Sequence, residues 1–196
     1  MDKKIYIIRH GLTESNKKKI YAGWNEEGLC KEGILNLYEL GRKLKEFKIE
    51  KILSSPIRRA IQTAAVLNGF FHVAFELEEN FKEMKMGPWE ELSEGEVAEK
   101  FPEEWKIWNS TPSEIKIDGR ETLEEVQIRA LNGIKRISVD LDSSRILAVT
   151  HVAIIRVLMI YYNNMCLDDY RKINVPNEAV YLLDNKATEK KMVRIL

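Results

Sequence analysis

Short apolar runs alternate along this chain with longer segments of helical periodicity. Ile5 to Ile8 and Glu50 to Ser54 are rich in β-favouring residues, and between them apolar residues recur at steps of three and four from Ile34 to Phe47. A second helical pattern begins just after Pro56, a residue type common near the first position of a helix. Because this order favours a parallel sheet with right-handed crossovers, we predict an α/β fold with a mostly parallel central sheet.

The second half of the chain continues this alternation after one interruption. From about residue 85 to residue 120 prolines break the pattern, and this segment holds three of the four tryptophans. We expect it to form a subdomain laid over the edge of the sheet. A helix resumes from Thr122, whose hydroxyl can cap it. The remaining predicted elements are strands at 70–77, 145–150, 179–183 and 192–196, and an apolar helix at 153–162.

Basic and imidazole side chains stand where the predicted strands end. Arg9 and His10 follow the first strand, His151 follows the strand at 145–150, and Arg58 and Arg59 open the helix after the second strand. An Arg-His pair alone is more often a structural histidine hydrogen-bonded at a turn. The carboxyl ends of parallel strands share one edge of a sheet, however, so His10, His151, Arg9 and one of the two later arginines can converge there. Such a cluster suits a dianionic phosphate better than a neutral substrate.

Composition argues against several classes of function. Lys plus Arg (31) balances Asp plus Glu (31), which gives no global basic field for nucleic acid or a membrane surface. Cys30 and Cys166 lie far apart without a ligand at metal-binding spacing, and there are only three histidines, so we expect no metal centre and no cofactor. The sequence enters its first strand directly and holds no span of about 20 apolar residues, so we expect a soluble, cytoplasmic protein.

Six segments in order carry these residues and their surroundings: RHGLTESN from Arg9, YAGWNEEGL from Tyr21, SSPIRRAIQTA from Ser54, FKEMKMGPWE from Phe81, GRETLEEV from Gly119 and VTHVAIIR from Val149. Together they resemble the histidine phosphatase superfamily, which includes phosphoglycerate mutases and small bacterial phosphatases such as α-ribazole phosphatase. The resemblance covers essentially the whole chain. It implies one domain, residues 1–196, with a three-layer α/β/α fold and the segment at about 85–120 as a helical insertion over the active site.

The resemblance also implies a role for each matching residue. His10 is the expected nucleophile and Glu83 the proton donor, while Arg9, Arg59 and His151 are expected to stabilise the phosphoryl oxygens. Expected contacts to the substrate come from Gly11, Asn16, Gly23 and Val152. Three positions depart from the usual pattern: Val152 replaces a glycine, Lys82 an arginine, and Ala22 a residue that often carries a hydroxyl in the mutases.

The function implied is a metal-independent phosphomonoesterase that acts on a small phosphorylated metabolite through a phosphohistidine. α-Ribazole phosphate, phosphoserine and a broad range of esters all stay open as substrates. A phosphoglycerate mutase is the alternative enzyme, and the chain lacks the longer insertion that mutases usually carry after the donor Glu. A catalytically silent phosphate-binding module is a further alternative, disfavoured by the complete catalytic set. The oligomeric state is open, with a homodimer as the assembly that relatives suggest.

Overall fold

A six-stranded sheet forms the centre of the molecule in the computed structural model, which describes residues 3–140, 143–184 and 191–196. The strands are β1 (Lys4–Arg9), β2 (Lys51–Ser54), β3 (Ala74–Leu77), β4 (Arg145–Thr150), β5 (Val180–Asp184) and β6 (Lys191–Arg194). Their spatial order is β3-β2-β4-β1-β5-β6. β1 to β4 pair in parallel, and β5 runs antiparallel to both of its neighbours. This arrangement confirms the prediction of a mostly parallel sheet.

Helices cover both faces of the sheet. They are α1 (Glu14–Lys18), α2 (Lys31–Leu44), α3 (Arg58–Phe71), α4 (Glu94–Lys100), α5 (Pro102–Ser110), α6 (Leu123–Asp140) and α7 (Val152–Tyr162). Side chains of β1 alternate between the two resulting cores, as the pleat of a strand requires. Ile5 and Ile7 join the core that includes α6 and α7, whereas Tyr6 and Ile8 join the core that includes α2 and α3. The predicted three-layer α/β/α fold is confirmed.

The segment from residue 85 to residue 120 folds as a short 3-10 turn, Gly87–Trp89, followed by α4 and α5. Ser93 caps α4 with a capping box, which fixes where that helix begins. Trp89 is fully buried, and it packs edge-on against Trp105 and Trp108. These rings extend the core of the α6 and α7 side beyond the sheet, so the segment is a packed helical layer rather than a loose loop.

The prediction of a strand from Phe70 was wrong by several residues. Helix α3 continues through Phe71 and ends at His72, whose φ of 54° lies in the left-handed region that terminates helices. Asn68 holds the turn by exchanging two hydrogen bonds with the backbone of Val73. The first residues of this apolar run end α3, and its last four form β3. A short apolar run does not show where such a boundary between helix and strand lies.

Helix α6 begins as predicted, with the Thr122 hydroxyl accepting a hydrogen bond from the Glu125 backbone N–H at 3.2 Å. The closing strands lie within one or two residues of their predicted positions. Within the part of the chain that the structure describes, no helix is long and apolar enough to cross a membrane.

Candidate active site

Three neighbouring strands end side by side at the centre of the sheet. β4 lies between β2 and β1, and the residues that follow these strands are Ser55 after β2, His151 after β4 and His10 after β1. Backbone hydrogen bonds continue past the strand ends, from His10 N to Thr150 O at 2.9 Å and from Ser55 N to Val149 O at 2.9 Å. The sheet therefore holds the two predicted histidines next to each other, with ring centroids 5.1 Å apart.

The His10 ring is fixed in a defined tautomer. Its Nδ1 donates a hydrogen bond to the Gly11 carbonyl at 2.8 Å, which leaves Nε2 with an available lone pair. Gly11 N is itself held by the Thr63 hydroxyl at 2.9 Å, and the Asn177 amide donates to His10 O at 3.0 Å. Burial, and then the charges of Arg59 and Arg9, hold the pKa of His10 well below its usual value. The ring is thus neutral, and its second nitrogen is available to a group in the site.

Two arginines approach this ring from different elements. Arg9, at the end of β1, donates from Nη1 to Val175 O at 2.6 Å. Arg59, in the first turn of α3, donates from Nη2 to Gly23 O at 2.6 Å, and from Nη1 to Asn25 O at 3.1 Å. The Nε of each arginine is buried and has no hydrogen-bond partner among the described residues. Burial is the main cause that lowers the pKa of both side chains, to about 10 for Arg9.

The structure also decides between the two candidate arginines of α3. Arg59 is 1% exposed and turned into the site, whereas its neighbour Arg58 is exposed on the surface.

His151 is completely buried and begins helix α7 as its N-cap residue. Its Nε2 lies 2.7 Å from the Ser55 hydroxyl oxygen. Its Nδ1 is buried and finds no partner within residues 3–140, 143–184 and 191–196. Burial, followed by the charge of Arg59, holds the pKa of His151 well below its usual value, so this ring is neutral as well.

Glu83 reaches the site from the loop between β3 and the helical layer. Its Oε1 accepts hydrogen bonds from Met84 N at 2.8 Å and from Ala153 N at 3.2 Å, and only 8% of the residue is exposed. Arg129 of α6 fixes the backbone around Glu83 by donating hydrogen bonds to three nearby carbonyls, those of Asn80, Lys82 and Glu83. Trp24 adds a fourth hydrogen bond, from its indole N–H to Glu83 O at 2.6 Å.

A cavity of about 540 Å³ opens over these groups. His10, Arg9, Arg59 and Glu83 line it, and so do three of the residues expected to contact substrate, namely Asn16, Gly23 and Val152. Gly11 and His151 are not among the residues that line the cavity. For Gly11 the reason is packing: a Cβ at this position would come within 2.9 Å of Leu37, so the residue allows a close approach to the core.

The far part of the cavity is polar and aromatic. Arg156 of α7 stacks over the Tyr170 ring at 5.0 Å and donates from Nε to Ile173 O. Arg171 stacks on Trp108 at 5.7 Å, and is one more cation that lines the cavity. The remaining lining residues of this part include Lys19, Tyr21, Met86, Glu94 and Asn174. Trp108 lines this cavity, whereas Trp89 does not.

Several residues that hold the site were not predicted from the sequence. Ser55, Thr63, Arg129 and Asn177 act through hydrogen bonds to a ring or to the backbone. Ser55 and Thr63 lie within the SSPIRRAIQTA segment, so the sequence placed them near the site, but it did not show which groups they hydrogen-bond. Arg129 and Asn177 lie outside all six segments and carried no local signal.

The described residues contain no group of three or more His, Cys, Asp or Glu side chains able to hold a metal ion. The guanidinium groups of Arg9 and Arg59 supply positive charge beside His10. The site combines a neutral imidazole with an available Nε2, buried N–H donors around it and a carboxyl group that lines the same cavity. Such an arrangement is able to accept and release a phosphoryl group.

Comparison with known proteins gives a consistent result. The sequence model of the histidine phosphatase superfamily (branch 1) matches residues 5–196. A bifunctional protein of Mycobacterium tuberculosis is 29% identical over 157 residues, which cover 80% of this chain and 43% of that protein. Phosphoserine phosphatase 1 of Hydrogenobacter thermophilus is 24% identical over 155 residues, covering 79% of this chain and 74% of that one. The chain thus spans less than half of the mycobacterial relative.

Solved structures share the fold. Bacillus stearothermophilus YhfR superposes with a TM-score of 0.91 at 23% identity, covering 98% of this chain and 96% of that one. The α-ribazole phosphatase from Shigella flexneri superposes with a TM-score of 0.86 at 20% identity, covering 98% of this chain and 95% of that one.

Proposed function

Because this chain belongs to the histidine phosphatase superfamily, branch 1, we propose that it is a phosphomonoesterase that works without a metal ion, through a phosphohistidine on His10. One observation carries the proposal. Arg9 Nε, Arg59 Nε and His151 Nδ1 are buried nitrogens without a hydrogen-bond partner in the described part of the chain, and all three belong to residues around His10. Buried polar groups are normally paired, and the oxygens of a phosphoryl group are partners of the right kind.

The reaction has two steps, transfer of the phosphoryl group to His10 and then its hydrolysis. His10 Nε2 gives its lone pair to phosphorus, the bond from phosphorus to the ester oxygen breaks, and Glu83 gives its proton to that oxygen as the alcohol leaves. A water molecule then attacks phosphorus, gives a proton to the Glu83 carboxylate, and the phosphorus–nitrogen bond breaks to release inorganic phosphate and neutral His10. Arg9, Arg59 and His151 stabilise the oxygens in both steps, and such electrostatic stabilisation dominates phosphoryl transfer.

The cavity supports a small hydrophilic metabolite as the substrate. Its volume of about 540 Å³ suits a small molecule, and Lys19, Arg156, Arg171 and Glu94 line the part beyond the catalytic groups. Charged side chains at that end disfavour an apolar alcohol as the leaving group. α-Ribazole phosphate and phosphoserine are the first esters to test, since proteins named for their hydrolysis are among the similar ones.

The test is release of inorganic phosphate in the presence of EDTA. The panel holds α-ribazole phosphate, phosphoserine, sugar phosphates and both phosphoglycerates. We expect the wild-type protein to hydrolyse at least one ester, and His10→Ala to abolish release and the acid-labile phosphoenzyme. His72→Ala, which removes an exposed histidine at the end of α3, is the matched control and should retain activity. Interconversion of the phosphoglycerates without phosphate release would favour the mutase. If the protein shows neither phosphate release nor interconversion, a binding module is favoured.

A further inference from the structure

One contact in the site has no role in the reaction as described above. The Ser55 hydroxyl lies 2.7 Å from His151 Nε2, and both residues are fully buried. The sheet makes this contact, because Ser55 follows β2, His151 follows β4, and these two strands pair directly. His10 follows β1 on the other side of β4. A serine, the second histidine and the nucleophile therefore form a row across three adjacent strand ends.

We propose that Ser55 is a positioning residue that sets the tautomer of His151, by donating its hydroxyl proton to Nε2 so that Nδ1 carries the N–H that meets the phosphoryl group. This inference rests on the proposed function, since it gives the second histidine its task in phosphoryl transfer.

The hydrogen bonds of Ser55 favour this direction of donation. Its hydroxyl oxygen already accepts the backbone N–H of Ile57 at 3.3 Å. Among the hydrogen-bond partners of this hydroxyl in the described part of the chain, His151 Nε2 is the one that can accept its proton. A neutral imidazole carries a single proton, so acceptance at Nε2 places that proton on Nδ1.

The opposite tautomer would work against anion binding. With the proton on Nε2, the buried and unpartnered Nδ1 would present a lone pair beside the anion that Arg9 and Arg59 attract. Lone pair and phosphoryl oxygen would repel each other. Burial lowers the pKa of this ring, which disfavours a second proton and leaves one of the two nitrogens unprotonated. The identity of the protonated nitrogen therefore decides whether His151 stabilises the transition state or opposes it.

The first experiment reads the tautomer directly. The full chain, labelled with ¹⁵N-histidine, contains only three histidines, so each imidazole can be assigned by NMR with His10→Ala and His72→Ala variants. We expect His151 in the wild-type protein to show a protonated Nδ1 and an unprotonated Nε2. In Ser55→Ala we expect a shift toward the Nε2-protonated form or a mixture. A wild-type His151 with its proton on Nε2 overturns the proposal, whether or not the variant folds.

The second experiment measures kinetics against a matched control. Ser54 is the adjacent serine, is equally buried, and uses its hydroxyl on the Ser55 carbonyl instead of on His151. We expect kcat of Ser55→Ala to fall about 100-fold with little change in KM, by analogy with the loss of one oxyanion-hole donor. Ser54→Ala should stay within a few-fold of wild type, and Ser55→Thr, which keeps the hydroxyl, should recover much of the loss.

The two experiments separate the inference from the proposed function. Equal losses in both serine variants, or full activity in Ser55→Ala, overturn the positioning role. Absence of phosphatase activity in the wild-type protein overturns the proposed function, while the NMR measurement still decides the tautomer of His151 because it needs no turnover.

Discussion

Burial and neighbouring arginines keep His10 and His151 neutral, and this has a consequence for stability. Both pKa values lie well below the value near 6.5 of an unfolded histidine. Below pH 6.5 the unfolded chain therefore binds more protons than the folded one. The stabilisation is fully present above that pH and is lost as the pH falls toward the folded pKa values.

We accordingly predict that the free energy of unfolding falls by about 2 kcal/mol between pH 7.0 and pH 5.5, roughly 1 kcal/mol for each histidine. Urea denaturation in buffers free of phosphate measures it. His10→Asn removes one titrating ring and should halve the loss. A free energy of unfolding that stays constant over this range would contradict the buried, neutral state of the two rings.

The Glu83 carboxyl group gives a second prediction. Glu83→Gln keeps an oxygen for the Met84 and Ala153 backbone N–H groups but removes the transferable proton. We expect kcat for an alkyl phosphate to fall by about 10²- to 10⁴-fold. p-Nitrophenyl phosphate needs little protonation of its leaving group, so the variant should release a burst of one nitrophenol per enzyme and then turn over slowly.

Rapid-quench or stopped-flow measurement of the nitrophenol burst tests this assignment. Glu79→Gln is the control, because Glu79 is an exposed carboxylate paired with Lys82 and lies outside the cavity. Equal losses for both esters, without a burst, would show that Glu83 does not act as the proton donor.

What the sequence could predict about single residues follows from how each one acts. Arg9, His10 and His151 could be predicted because Arg9 ends a strand and both histidines directly follow one, where position along the chain fixes position in space. Ser55 and Arg129 act on partners that lie far away in sequence. Their roles depend on strand order and on helix placement, and neither is encoded in a local pattern.

At the scale of elements, the contact between α6 and the segment before Glu83 is tight. A Cβ added at Gly133 of α6 would lie 2.5 Å from the ring of Phe81, which is only 1% exposed and cannot move aside. Gly69 of α3 is exposed, and a Cβ there would meet nothing within 4 Å.

These two helical glycines give a matched prediction. Gly133→Ala should lower the free energy of unfolding by about 1–3 kcal/mol through overpacking. Gly69→Ala should raise it by about 0.5–1 kcal/mol, because alanine loses less backbone freedom on folding into a helix. Urea midpoints of both variants measure the difference, and stabilisation by Gly133→Ala would show that the helix and the Phe81 segment are not rigidly packed.

Long periodic elements were predicted better than short ones. The 18-residue helix α6 appeared where expected, because a capped, periodic run of many residues has one interpretation. Helix α1, five residues long, was not predicted, and it depends on a capping box between Thr13 and Asn16. The boundary between α3 and β3 was misplaced because two phenylalanines fit a helix end as well as a strand.

For the whole molecule, anion binding should couple to folding. A phosphate or vanadate ion that binds only the folded state stabilises it, by about 2.7 kcal/mol at 100 times its dissociation constant. We predict that this gain disappears in Arg59→Met and persists in Arg58→Met, the neighbouring exposed arginine of α3. Thermal denaturation with and without each anion measures this stabilisation. Equal stabilisation of both variants would show that the anion binds elsewhere.

The topology itself was only partly within reach of the sequence. Alternation of strands and helices predicted parallel pairing, but not that β4 enters between β2 and β1. That insertion is what brings His151 beside His10. It requires contacts between residues at opposite ends of the chain, which no periodicity in one segment can reveal.

The central place of β1 has a consequence for how the protein is made. Lys4 pairs with Arg145 on one side and with Asp184 on the other, so the strand that leads to His10 leaves the ribosome long before either neighbour is synthesised. Its apolar run, Ile5 to Ile8, must meanwhile avoid aggregation or be shielded by a chaperone. In a nascent chain the sheet is therefore complete on both sides of β1 only after β5 has been synthesised.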